Sequence, residues 1–180
     1  HEAPYTDNEQ RLMIDIARRA VRASVVGTAS PDIADVPDAL TEPRGCFVTL
    51  RNAGELRGCI GTFEADAPLI DNLIAMAGAA ARDPRFTDDP VRPDQVDGLS
   101  IDVSVLTPRE PIDDPMDYVI GRDGQYIVGK RFGSTVSGCF LPEVATDQGW
   151  DLPTTLSMLC AHKMGLDPDA WQPPTKLQFF

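Results

Sequence analysis

Across residues 8–25 the apolar side chains Leu12, Met13, Ile16, Ala17, Ala20, Val21 and Val25 recur at three- and four-residue intervals. Arg11, Asp15, Arg18, Arg19 and Arg22 fall mostly on the opposite side, so the spacing predicts an amphipathic helix. The pattern stops over residues 28–43, where Pro31, Pro37 and Pro43 remove backbone donors, and this stretch reads as a long surface connection. Residues 46–51 and 55–61 then read as two strands joined by Asn52-Ala53-Gly54, with Gly54 supplying a left-handed residue at the end of a three-residue turn. Pairing Arg51 with Glu55 sets Leu50 opposite Leu56, Val48 opposite Gly58 and Cys46 opposite Ile60 on an apolar face. Phe47, Thr49, Arg57 and Cys59 then lie on the other face.

Leu69, Leu73, Met76, Ala77 and Ala80 repeat as a second helix with Pro68 at its start, and Asp83-Pro84-Arg85-Phe86 follows as a loop. Leu99, Ile101, Val103 and Val105 alternate with Ser100, Asp102 and Ser104, the period of a half-buried strand. Residues 125–130 and 135–141 predict a second hairpin around Arg131-Phe132-Gly133-Ser134. Asp151 caps a helix expected through Met164, Gly165 stops it, and residues 176–180 form a last strand. Helices and strands come in mixed order, hairpins join most of the strands, and no repeated βαβ unit emerges. The expected fold class is α+β, an antiparallel sheet with flanking helices.

At 180 residues the chain is long enough for one core, or for two subdomains in one folding unit. Its 42% hydrophobic and 24% charged residues are those of a globular protein. A net charge of -12 repels phosphate backbones, so no nucleic-acid partner is expected. Acidic residues greatly outnumber Arg85, Arg92 and Arg109 between Asp83 and Asp117, and that segment reads as solvated surface. No apolar run approaches the roughly 20 residues that span a bilayer. No signal-peptide order is present at the start either, so a cytoplasmic location and no membrane partner are expected. The chain begins at His1 without Met, and His1 is set aside as a trimmed or tagged start, which leaves His162 as the informative histidine. Cys46, Cys59, Cys139 and Cys160 form no C-x-x-C pair or zinc spacing and read as free thiols; no metal and no cofactor is expected.

The run Leu56-Arg57-Gly58-Cys59-Ile60-Gly61-Thr62-Phe63 resembles the signature of the AMMECR family, named for the Alport syndrome, midface hypoplasia and elliptocytosis chromosomal region. Asp83-Pro84-Arg85-Phe86, Val103-Ser104-Val105, Leu141-Pro142-Glu143-Val144, Gln148-Gly149-Trp150-Asp151 and Asp169-Ala170-Trp171 agree with it in order, so the resemblance covers nearly the whole chain. It implies one domain over residues 1–180 with a larger and a smaller subdomain, and the signature beside a cleft between them. It also implies genomic association with Memo-like proteins and radical S-adenosylmethionine enzymes, and no established reaction. The second hairpin departs from the family pattern, which has a glycine- and arginine-rich turn where this chain reads Phe132-Gly133-Ser134-Thr135-Val136-Ser137-Gly138-Cys139.

The candidate chemistry centres on Arg57 and Cys59, which the expected register puts on one face. A guanidinium near a thiol stabilises the thiolate, the nucleophilic form. Gly58 and Gly61 leave room for a ligand or a second backbone to approach, and Thr62, Arg85 and Glu143 are candidate ligand contacts in family segments. Asp83 is read as a brace for its loop. Two readings of Cys59 stand side by side, a reactive thiol and a packed core thiol. Two readings of the function follow. In the first, a small-molecule-binding enzyme or enzyme component uses Cys59 and Arg57. In the second, a non-catalytic interaction or regulatory module works with a Memo-like or radical S-adenosylmethionine protein.

Overall fold

The computed structural model describes residues 4–180, so His1 lies outside the described residues. The chain divides into two compact units, one running through Pro108 and the other spanning Arg109–Phe180. Each builds an antiparallel three-stranded sheet with helices packed on it, and the α+β class expected from the sequence is the class observed.

In the first unit, helix α1 spans Asp7–Val26. It starts at a reciprocal cap: the Glu9 backbone N–H donates to Thr6 Oγ1 at 3.2 Å and the Thr6 N–H donates to Glu9 Oε2 at 2.9 Å. It stops at Gly27, whose φ of 81° closes the last turn. Its inner stripe, Ile16, Ala17 and Val21, packs into one core with Leu69, Leu73 and Ala77 of helix α3 (Leu69–Ala80). Helix α2 (Asp38–Thr41) interrupts the segment expected to be plain surface connection, because Leu40 turns in and is fully buried. A single turn is too short to show a helical period.

Strands β1 (Cys46–Asn52), β2 (Glu55–Thr62) and β3 (Ser100–Val105) make the first sheet, in the order β2-β1-β3. Cys46, Val48 and Leu50 of the central strand are buried, as the alternation requires. The register of the first hairpin differs from the expected one at two points. The loop has two residues rather than three: Ala53 and Gly54 both take positive φ, 49° and 84°, and Asn52 pairs with Glu55. The ladder then shifts once more, with Arg51 opposite Leu56 and Leu50 opposite Gly58, so Arg57 is the extra residue of a β-bulge. Past the bulge Val48 faces Ile60 and Thr49 faces Cys59, two residues from the expected pairing.

In the second unit, β4 (Gln125–Arg131), β5 (Ser134–Phe140) and β6 (Gln178–Phe179) form a sheet in the order β5-β4-β6. Helix α4 (Pro142–Gln148) follows, a short element the sequence reading did not contain. Asp151 caps α5 (Leu152–Met158) as expected, its Oδ1 accepting from the Thr154 N–H at 2.8 Å. Beyond Met158 the helix widens into a π-helical turn, Leu159–Lys163, instead of running regularly to Met164, and Gly165 at φ 64° ends it. Ile127, Leu156, Leu159, Cys160 and Phe179 are the centre of this unit's core.

Candidate functional site

Cys59 lies near the middle of β2, the outer strand of the first sheet. Opposite Thr49 it occupies a position where both backbone groups point away from β1, toward an edge that no strand among the described residues covers. Side chains from the loop after α3 fill that edge. The Cys59 N–H donates to Asp83 Oδ2 at 3.0 Å, and Arg85 Nη2 donates to the Cys59 carbonyl at 3.2 Å. Carboxylate and guanidinium are locked together: Arg85 Nη2 reaches Asp83 Oδ2 at 2.6 Å and Nε reaches Oδ1 at 3.0 Å, a two-point fork. A third donor, the Arg85 backbone N–H, reaches Asp83 Oδ1 at 3.0 Å, which makes Asp83 the cap of the 3-10 turn Pro84–Phe86. The expected brace is therefore present, and it holds the Cys59 peptide as a neighbouring strand would.

Asp83 is buried, yet the Arg85 fork holds its carboxyl well below the usual carboxylate range against the opposing effect of burial. Arg85 is raised in turn, first by the hydrogen bonds to Asp83 and, as the smallest contribution, by attraction to Cys59. Arg85 is thus the cation placed against the Cys59 peptide. Cys59 itself is half-buried, and Thr49 Oγ1 donates to its Sγ at 3.2 Å. Burial pushes the thiols of Cys46, Cys139 and Cys160 up to about 11, where thiolate is scarce at neutral pH.

Arg57 is placed differently from the expectation. As the bulge residue it turns its guanidinium into a buried position, where Nη2 donates to the Asp89 carbonyl at 2.7 Å and lies 3.5 Å from the Asp89 carboxylate. The bulge is the physical reason, since it breaks the alternation that would have aligned Arg57 with Cys59. The spaces beside the two motif glycines are filled from within the chain. A Cβ at Gly58 would meet the Ala80 carbonyl oxygen at 2.0 Å, and one at Gly61 would meet the Phe47 ring at 2.2 Å. Thr62 closes a local turn, its Oγ1 accepting from the Glu64 N–H at 3.1 Å. Glu143 is exposed in the first turn of α4, in the other unit, as is His162 on the π-helical turn.

Sequence reasoning did not find the Asp83–Cys59 hydrogen bond or the Thr49 hydroxyl. The one available signal was Asp-Pro-Arg, which marks a cap but not what lies across from it. Among the described residues no three His, Cys, Asp or Glu side chains group as a metal site would, and no helix is long and apolar enough to cross a membrane. The arrangement presents a hydrogen-bonded thiol on a strand held from both sides of its peptide, with a paired cation beside it.

The family model described as AMMECR1 matches residues 14–180. A protein of Methanothermobacter thermautotrophicus is 43% identical to the chain, covering 96% of it and 90% of that protein. One from Methanocaldococcus jannaschii is 40% identical, covering 85% and 77% respectively. The crystal structure of the uncharacterised protein PH0010 of Pyrococcus horikoshii superposes with a TM-score of 0.82 at 34% identity, covering 97% of this chain and 88% of that one.

Proposed function

The chain belongs to the AMMECR1 family, and from that premise we propose that it is a small-molecule-binding enzyme or enzyme component whose working group is the Cys59 thiol. The observation that supports this reading is the double hydrogen bond from the Asp83–Arg85 pair to the Cys59 peptide, which spends a buried carboxylate on orienting one residue of an edge strand. Arg85 replaces Arg57 as the electrostatic partner, and Thr49 supplies a hydrogen bond to sulfur. The chemistry suited to this set is attack of the Cys59 thiolate on an electrophilic carbon. A carbon–sulfur bond forms, and the leaving group departs with its electron pair and takes up the proton released by the thiol. A cytoplasmic setting, where thiols remain reduced, fits the four free cysteines.

The pH dependence of iodoacetamide alkylation tests the reading. Cys59 is expected to react in the folded protein faster than a model thiol at neutral pH, and several-fold more slowly once Arg85 is changed to Gln. Alkylation no faster than the model thiol, or only after unfolding, removes the covalent mechanism.

A second reading, a non-catalytic module acting with a Memo-like or radical S-adenosylmethionine protein, is favoured by one observation. The described part of the unit that holds Cys59 contains no histidine to serve as a base. Cys59→Ser discriminates between the two: a module keeps a stoichiometric partner and its partner's activity, whereas an enzyme component keeps at most the partner.

A further inference from the structure

Arg85 has one nitrogen left over. Its Nε and Nη2 are committed to the Asp83 carboxylate, Nη2 donates to the Cys59 carbonyl as well, and among the described residues Nη1 makes no hydrogen bond. Nη1 shares its carbon with Nη2, so its N–H groups lie at the strand edge beside Cys59. The Arg85 side chain is 59% exposed, whereas the Asp83 carboxylate that grips it is 1% exposed. A guanidinium fixed along one edge and open along another is a preorganised seat for an anion, because the ordering of the side chain is already done before the ligand arrives.

An apolar wall stands on the sheet face that carries the sulfur. Cys59 pairs with Thr49 and Gly61 with Phe47, so the alternation puts these four residues on one face. The Phe47 ring lies over Gly61, and Phe63 packs on it with ring centroids 4.9 Å apart. Both rings are only half-buried. Beyond Thr49 the same row ends at Asp102 on β3, roughly 10 Å from Cys59 at ordinary strand spacing. A carboxylate at the far end of the row and a guanidinium at the β2 edge direct an anion to the edge.

We propose that the substrate of the Cys59 site is a small carboxylate, its carboxyl group seated on Arg85 Nη1, its electrophilic carbon at the sulfur and an aromatic or other apolar body against Phe47 and Phe63. A planar monoanion matches the free edge of one guanidinium. A phosphate dianion would be undercompensated there, since the single cation is already paired with Asp83 in a chain of net charge -12. The inference rests on the reading of Cys59 as a working thiol and adds the substrate class to it.

Two probes that differ only in charge separate the two claims. Iodoacetamide is neutral and iodoacetate carries the carboxylate; with either, a carbon–sulfur bond forms at Cys59, iodide leaves with the electron pair and the thiol proton passes to solvent. Site-resolved mass spectrometry gives the rate at Cys59, and β-mercaptoethanol gives the same ratio for a free thiol. The expected ratio of iodoacetate to iodoacetamide rates at Cys59 exceeds that of the free thiol by at least about fivefold, although the acidic chain as a whole repels the anion. Arg85→Gln, checked for folding by circular dichroism, should return the ratio to the free-thiol value. On the wild-type chain alone, benzoate should protect Cys59 from iodoacetamide at lower concentration than acetate does, and inorganic phosphate should not protect. Fast iodoacetamide labelling without a preference for iodoacetate overturns the substrate class and leaves the working thiol standing. Slow labelling by both reagents overturns both, and protection by phosphate rather than benzoate overturns the carboxylate assignment.

Discussion

The two hairpins share a plan and differ at their edges. Each turns on two residues of positive φ, Ala53-Gly54 and Phe132-Gly133, and each leaves an outer strand, β2 or β5, with one side free of strand pairing. β2 carries a bulge and has its outward peptide at Cys59 capped by Asp83 and Arg85. β5 runs straight, with no bulge and, among the described residues, no side-chain cap. An open strand edge is a liability unless it is bent, covered or used. The first hairpin places its cover at Cys59, and among the described residues the second has none.

Breaking this contrast should have its largest effect at the glycines inside the two outer strands. At Gly58 a methyl group meets backbone, the Ala80 carbonyl, which cannot move aside without displacing α3. At Gly138 it meets Lys163 Cβ at 2.7 Å and the side chains of Leu159 and Met164 at 3.0 Å, a shallower overlap that a small shift of the π-helical turn and of those side chains relieves. Urea unfolding should therefore show Gly58→Ala losing about 3 kcal/mol or more and Gly138→Ala about 1 kcal/mol. Equal losses would mean that the close approach of α3 to β2 is not rigid.

The next effect is electrostatic. Asp83→Asn should destabilise the protein by about 2 kcal/mol at neutral pH, since it discharges a buried acceptor of charge-assisted hydrogen bonds. The same change at Asp97, an exposed partner of Arg22, should stay within about 0.5 kcal/mol. Because Arg85 holds the folded Asp83 below its unfolded value of about 4, the contribution is fully present above that pH and is lost as pH falls below it. The gap between wild type and Asp83→Asn should accordingly close on acidification, read from denaturation midpoints between pH 7 and pH 3. A gap that widens would contradict the ion-paired state of Asp83.

The smallest change concerns the turns. Phe132→Asn replaces a residue strained at positive φ with one that tolerates it, and should raise stability by about 0.5 to 1 kcal/mol. Ala53→Asn, at the same φ, should give a smaller gain. Thermal melts of the two variants side by side read the difference.

Much of the fold was legible in local patterns. The periodicities of α1 and α3, the alternation in β3 and the Asp151 cap follow from neighbours in sequence and appear where those neighbours put them, and both hairpins are present, though each turns on two residues rather than the three or four expected. The candidate site was legible only in part. Cys59 stands out through its motif, but nothing nearby in sequence marks Arg57 as a bulge, because a bulge is fixed by how the flanking strand must meet its partner. The Asp83 contact joins residues 24 positions apart through the packing of α3 on the sheet. One residue of turn length, three expected and two found, was enough to shift the pairing of the motif strand.

The most direct test is site-resolved labelling of the four thiols in the folded protein, with mass spectrometry reading each cysteine over time at neutral pH. If the braced edge strand exists to present a working sulfur, Cys59 should be modified first, well ahead of Cys46, Cys139 and Cys160, and Asp83→Asn should erase much of that lead in protein that is still folded. If Cys59 lags with the other three, or leads equally without Asp83, the brace serves only to cap a sheet edge and the functional reading fails.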